Sequence, residues 1–275
     1  MENSHNIVIK PKKIFSFSEL KEIWNYRELL YFFTWRDLKI RYKQTSIGIL
    51  WALFQPFITM VIFSVFFGMF GKIPSDNIPY PVFVFSGLLL WQLFSASLSQ
   101  ASNSLVGNQS LLTKVYFPRL ILPISSIFSN LVDFFIASLI LVGLMIYYGF
   151  LPQLGGLLIL PLLVLITCIF AVGLGLFLAS LNVKYRDIKY VLPFFIQLLM
   201  FVTPVIYSPS ILGNYSWVMA VNPMTGVIKA ARSALFGLQS INWFLLFLSA
   251  GTALVVLFFG FLYFKKAERS FADLI

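Results

Sequence analysis

Five long stretches of this chain, residues 44–71, 77–113, 134–183, 190–228 and 233–264, contain no Asp, Glu, Lys or Arg. A charged side chain at the centre of a bilayer costs about 2.5–3.5 kcal/mol on insertion scales, so apolar stretches of this length predict membrane crossings. The longest is 50 residues, which as one helix would be roughly 75 Å long against a hydrocarbon core of about 30 Å. It must turn once, and Tyr147-Tyr148-Gly149-Phe150-Leu151-Pro152 with Gly155 and Gly156 supplies the turn. The predicted spans are about 47–70, 82–104, 120–147, 157–181, 190–207 and 242–264, the third carrying Asp133. The expected fold class is therefore an all-α integral membrane protein with six transmembrane helices, a 47–264 membrane domain between segments 1–46 and 265–275.

Two segments fit neither loop nor span. Residues 16–46 predict an interfacial amphipathic helix: Ser16 and Glu19 suit a capping box, and Leu20, Ile23, Trp24, Tyr31 and Leu38 recur at helical spacing. Arg36, Lys39, Arg41 and Lys43 crowd its end, where they would meet anionic headgroups. A solvated charged face ahead of the first span is the plainer alternative. Between the fifth and sixth spans, over about 208–240, Asn222 as cap, Pro223 at the first helical position and Gly237 past the end predict a helix of about 14 residues. That is too short to cross, so it is expected as a re-entrant or surface helix dipping into the outer leaflet.

Composition agrees with the membrane reading: 59% of residues are hydrophobic and 11% charged, against about 25% charged in soluble domains. A net charge of +10 would suit a nucleic-acid partner, but 17 of the 20 Lys and Arg lie in 1–46, 105–119, 182–189 and 265–275, which six spans put on one face. Only Lys72, Lys229 and Arg232 fall on the other. The asymmetry predicts both termini in the cytoplasm and removes the need for nucleic acid. The first 46 residues carry charge without the apolar core of a cleavable signal, in keeping with a cytoplasmic amino terminus. Cys168, in an apolar run and without a partner cysteine, reads as a packing residue.

Stripes of small residues at Ala171, Gly175 and Ala179, at Ser125, Ser129, Asp133 and Ala137, and at Ser95, Ser99 and Ser102 suit close helix packing. A polar substrate pathway is the alternative reading. Asp133 is the one acidic residue inside the predicted spans and a functional candidate on that ground. A proton relay would need a partner, and no His, Lys or Arg lies in the other spans. Hydrogen bonding to Ser126, Ser129 or Asn130, or across helices, is the alternative. The sole histidine is His5, no nucleophile pair is visible, and Gly68-Met69-Phe70-Gly71-Lys72 lacks both the glycine spacing and the Ser or Thr of a phosphate loop. No catalytic residue, cofactor or metal site is expected. A membrane enzyme of envelope glycan assembly is the rival class, and acidic or histidine clusters at one interface would be its mark.

Several strings resemble a known family. They are Arg36-Asp37-Leu38-Lys39-Ile40-Arg41-Tyr42-Lys43 running into Gly48-Ile49-Leu50-Trp51 and Gln55-Pro56, then Tyr80-Pro81 to Leu88, and Lys114-Val115-Tyr116-Phe117-Pro118-Arg119. Tyr185-Arg186-Asp187-Ile188, Asn222-Pro223-Met224 and Glu268-Arg269-Ser270-Phe271 follow in order. Together they resemble the polysaccharide-exporting permeases of ABC type 2 transporters, especially those for O-antigen. The resemblance implies a homodimer in the bacterial cytoplasmic membrane, joined to two cytoplasmic ATPase subunits that hold the ATP and Mg. It also implies a channel at the dimer interface for a lipid-linked polysaccharide, with capsule or teichoic-acid polymers, or a small lipid or drug, as alternative cargo. Arg36, Lys39, Arg41, Lys114, Arg119, Arg186 and Asp187 are the candidates for the ATPase coupling surface. Trp51, Phe54, Phe57, Phe63, Phe67, Phe201 and Tyr207 are candidates to line the channel, because sugar rings stack on aromatic faces.

Overall fold

A computed structural model describes residues 18–43, 48–150, 154–209, 221–238, 240–269 and 271, and no strand occurs among them. The helices are α1 (Ser18–Asn25), α2 (Arg27–Lys43), α3 (Leu50–Phe63), α4 (Tyr80–Gly107) and α5 (Gln109–Lys114), followed by α6 (Ile121–Tyr147), α7 (Leu154–Lys184), α8 (Ile188–Val202), α9 (Pro223–Phe236) and α10 (Trp243–Glu268). Wider π-type turns at Ser64–Phe70 extend α3. With that extension, α3, α4, α6, α7 and α10 are long and apolar enough to cross a membrane.

Helix α4 is the axis of the bundle, packed against α7, α6, α3 and α9 with most of its residues buried. Two apolar clusters fix the ends. One joins Phe33, Leu105, Phe117, Ile121, Val183 and Phe264, and so gathers α2, the end of α4, the start of α6 and the ends of α7 and α10. At the other end Phe150 packs on Phe236 with ring centroids 5.4 Å apart, and Gly68 lies against the Tyr80 ring. Chain passes therefore alternate between two ends, and the segments rich in Lys and Arg collect at the first. The small-residue stripes are packing surfaces in part: Gly175 faces Ala101 of α4, and the Ser129 hydroxyl donates to the Thr34 carbonyl of α2. Where α7 meets α10, a Cβ on Gly260 would stand 2.0 Å from the Gly173 carbonyl oxygen, so the two backbones touch.

The fifth pass is shorter than predicted. Helix α8 has 15 residues, about 22 Å against a core of about 30 Å, and ends at Val202. Irregular backbone at membrane depth must find partners within the protein. Arg232 of α9 supplies them, donating to the carbonyls of Pro204 at 2.9 Å, Val205 at 2.7 Å and Phe83 at 3.2 Å. The Tyr80 hydroxyl donates to the Ile206 carbonyl at 2.7 Å. Arg232 is thus a buried brace, where its charge alone suggested an outer loop position. Helix α9 has the predicted limits: the Asn222 side chain accepts from the Met224 N–H at 3.0 Å, and Gly237 takes the left-handed φ of 66°. All its residues but Lys229 are buried, which makes it an internal helix and not a surface one.

The amino-terminal helix also differs from expectation. It breaks at Tyr26, and its packed side is Ile23, Tyr26, Leu29, Leu30 and Phe33. Trp24 and Tyr31, read as part of one apolar face, point outward. Apolar residues thus occupy two sides of this helix, one against the bundle and one away from it, which a single-face pattern does not separate. Ser16 and the side chains of Glu19 and Leu20 lie outside the described residues.

Candidate functional site

The last turn of α2 carries Arg41 and Tyr42 toward α6. Arg41 forms an ion pair with Asp133, and the Tyr42 hydroxyl donates to the other carboxylate oxygen. Asn130, one turn before Asp133, accepts from Arg41 at 3.4 Å and donates to the Gln100 side chain at 3.0 Å and to the Ser126 carbonyl at 2.7 Å. Asp133 therefore bonds across helices. Its cationic partner comes from the amino-terminal helix and not from a span, which is why inspection of the spans alone found none. Burial lowers the pKa of Arg41 and raises that of Tyr42, the latter opposed by the nearby guanidinium. Arg41 nonetheless stays a cation, and Tyr42 keeps the proton it donates.

This network borders a cavity of about 700 Å³ whose walls include Trp51, Gln55 and Gln100. A second cavity of about 400 Å³, walled by Gln92, Ser95 and Ser99 among others, shares Ala52, Gln55, Ala96, Asn130 and Asp133 with the first. The two form one polar groove between α3, α4 and α6, with α2 at one end and α8 beside the other. Among the described residues, the side-chain amides of Gln55 and Gln92 and the hydroxyl of Ser99 make no hydrogen bond to the protein. Moving an unpaired amide into a medium that cannot hydrogen-bond costs about 4–8 kcal/mol. These groups therefore demand water or a polar ligand in the groove.

The structure disperses the other candidate residues. Lys39, Lys114, Arg186 and Asp187 are exposed. Arg36 donates to Asn108 at 2.8 Å and lies 4.9 Å over the Phe33 ring, tying α2 to the α4–α5 junction. Arg119 donates to the Glu268 carbonyl at 2.7 Å, tying the start of α6 to the end of α10. Arg41 stands apart from both sets, in the groove. Of the aromatic candidates, only Trp51 borders the groove. Phe54, Phe57 and Phe201 are exposed on the bundle surface. Phe63 and Phe67 pack on each other at 5.7 Å against the main core, and Tyr207 donates to the Phe201 carbonyl at 2.7 Å.

Sequence reasoning named Asn130 as a partner for Asp133 and Gln55 only within a family string, and passed over Gln92 and Gln100. The available signal was an amide inside a predicted crossing, where nothing in lipid would pair with it. The serine stripe of α4 divides: Ser95 and Ser99 reach the groove, while Ser102 is buried where Asn182 donates to its carbonyl at 3.1 Å.

Residues 28–236 match the family described as ABC-2 type transporter, a stretch that runs from α2 through α9. The chain is 30% identical over 260 residues to the O-antigen export system permease protein RfbA of Myxococcus xanthus, covering 93% of this chain and 98% of the relative. It is 27% identical over 249 residues to the protein of that name from Klebsiella pneumoniae, covering 90% and 95%. The polysialic acid transport protein KpsM of Escherichia coli is 25% identical over 245 residues, covering 86% and 92%. With most of its length matched and its helices arranged as a multi-pass membrane bundle, the chain belongs to the ABC-2 type transporter family.

Proposed function

We propose that this chain is the non-catalytic permease subunit of an ATP-driven exporter that carries a lipid-linked polysaccharide, of O-antigen type, across the bacterial cytoplasmic membrane. It works as a homodimer with two ATP-binding subunits, which hold the ATP and Mg, and both its termini are cytoplasmic. The observation that carries this reading is the polar groove: unpaired amides on the wall of a groove in an apolar bundle suit a hydroxyl-rich cargo and are costly against lipid. The names of the relatives, two for O-antigen export and one for polysialic acid transport, point the same way.

Energy would enter at the end of the bundle where the basic segments collect. There Lys114, Tyr116 and Arg186 stand exposed on the two short connections and Tyr190 on the first turn of α8, with Tyr116 82% accessible. Exposed aromatics beside cations make a suitable seat for a partner protein. Arg36 and Arg119 brace the first of these connections to α2 and α10, so a push there reaches both helices. Deleting the gene tests the reading: lipid-linked polymer should accumulate inside the cell while surface polymer is lost. Normal surface polymer would contradict it.

A further inference from the structure

We infer that the polar groove is a subsite for uncharged sugar residues, which makes the cargo a neutral polymer in the segment that occupies it; this rests on the export reading above. Of the described side chains that line the two cavities, only Arg41 and Asp133 are charged, and they are paired with each other. An acidic sugar entering here would shed its water, find the one cation already neutralised and meet the Asp133 carboxylate. Such a juxtaposition of like charges discriminates against the wrong ligand.

The polar groups on the wall are also of a kind that suits a neutral sugar. Gln55, Gln92 and Gln100 each carry both a donor and an acceptor, as a sugar hydroxyl does, whereas Asn130 already spends its donors on Gln100 and Ser126. Trp51, about half exposed at the wall, offers an apolar face for a pyranose ring, so the groove combines stacking and neutral hydrogen bonds. The volume fits as well. Cavities of about 700 and 400 Å³ lie within the roughly 300–1,000 Å³ typical of sites for small organic ligands, enough for a short run of sugars.

Ala96 lines both cavities and carries no hydrogen-bonding side chain, so Ala96→Cys in a Cys168→Ala background is a suitable reporter. The permease–ATPase complex would be placed in lipid nanodiscs and labelled with a water-soluble maleimide. A neutral mannose hexamer should slow labelling at least fivefold, and a sialic acid hexamer at the same concentration should leave it within twofold. Gln92→Lys, which adds a cation to the wall, should transfer protection toward the acidic hexamer. Equal protection by both hexamers, stronger protection by the acidic one, or protection by neither would overturn the inference. The export reading is judged separately, by whether the deletion strain retains polymer inside.

Discussion

Arg232 and Arg41 are both removed from bulk water in a chain with few charges, yet they serve opposite regions of the molecule. Arg232, 7% exposed, spends its donors on three main-chain carbonyls and lies 3.6 Å from the centre of the Phe83 ring. Its surroundings are closed: Gly87 leaves no room for a Cβ beside the guanidinium. Arg41 pairs with a side chain, Asp133, and both are about a quarter exposed on a cavity wall. In the first region the two terminal nitrogens of the guanidinium are consumed by the fold, and only its Nε is left buried without a partner. In the second the amides of Gln55 and Gln92 are left over beside open space, the path proposed above for a polar cargo.

The largest expected effect is at Arg232. Arg232→Leu strands the Pro204 and Val205 carbonyls in an apolar setting, at about 1–3 kcal/mol for each unsatisfied group, while the Phe83 carbonyl still accepts from Ser86, so the protein should fail to accumulate or melt far lower in detergent. Arg232→Lys, with one compact ammonium in place of the planar fork, should recover only part of the loss. An unchanged melting temperature for the leucine variant would end the comparison.

A smaller loss is expected at the Arg41–Asp133 pair, which is partly solvated and worth less than a fully buried one. Asp133→Leu leaves Arg41 without its carboxylate and should cost about 1–2 kcal/mol, with much of that regained when Arg41→Leu is added. A thermal-melt double-mutant cycle reads the coupling. Additive losses would show that the two residues act independently.

The smallest effect on stability and the clearest on transport belongs to Gln92. Gln92→Leu removes an unpaired amide, so stability should stay within about 0.5 kcal/mol or rise, while export of surface polymer falls several-fold. A stability loss with unchanged export would place Gln92 with Arg232, among the residues the fold consumes.

The spans were legible because the cost of charge in lipid leaves gaps that no other fold requires, and α9 was legible because Asn222, Pro223 and Gly237 each have a terminal role. The end of α8 was harder. Thr203 to Tyr207 is as apolar as a helix, although Pro204 disfavours helical backbone at the residue before it. Its buried partner, Arg232, looked like a topology marker. The groove was the least legible part, because Arg41 and Asp133 are 92 residues apart and meet only when α2 folds back along α6. Aromatic content alone also misplaced the channel wall: Phe54 and Phe57 flank Gln55 in sequence and lie on other sides of α3.

The central claim, that the groove is a wet path within an apolar bundle, is tested most directly by cysteine accessibility in intact membranes. In a Cys168→Ala background, Ala96→Cys on the groove wall should react with a small water-soluble maleimide at least tenfold faster than Phe135→Cys on the exposed apolar face of α6. Equal rates, or an unreactive Ala96→Cys, would mean that the groove is closed to water and would contradict the account.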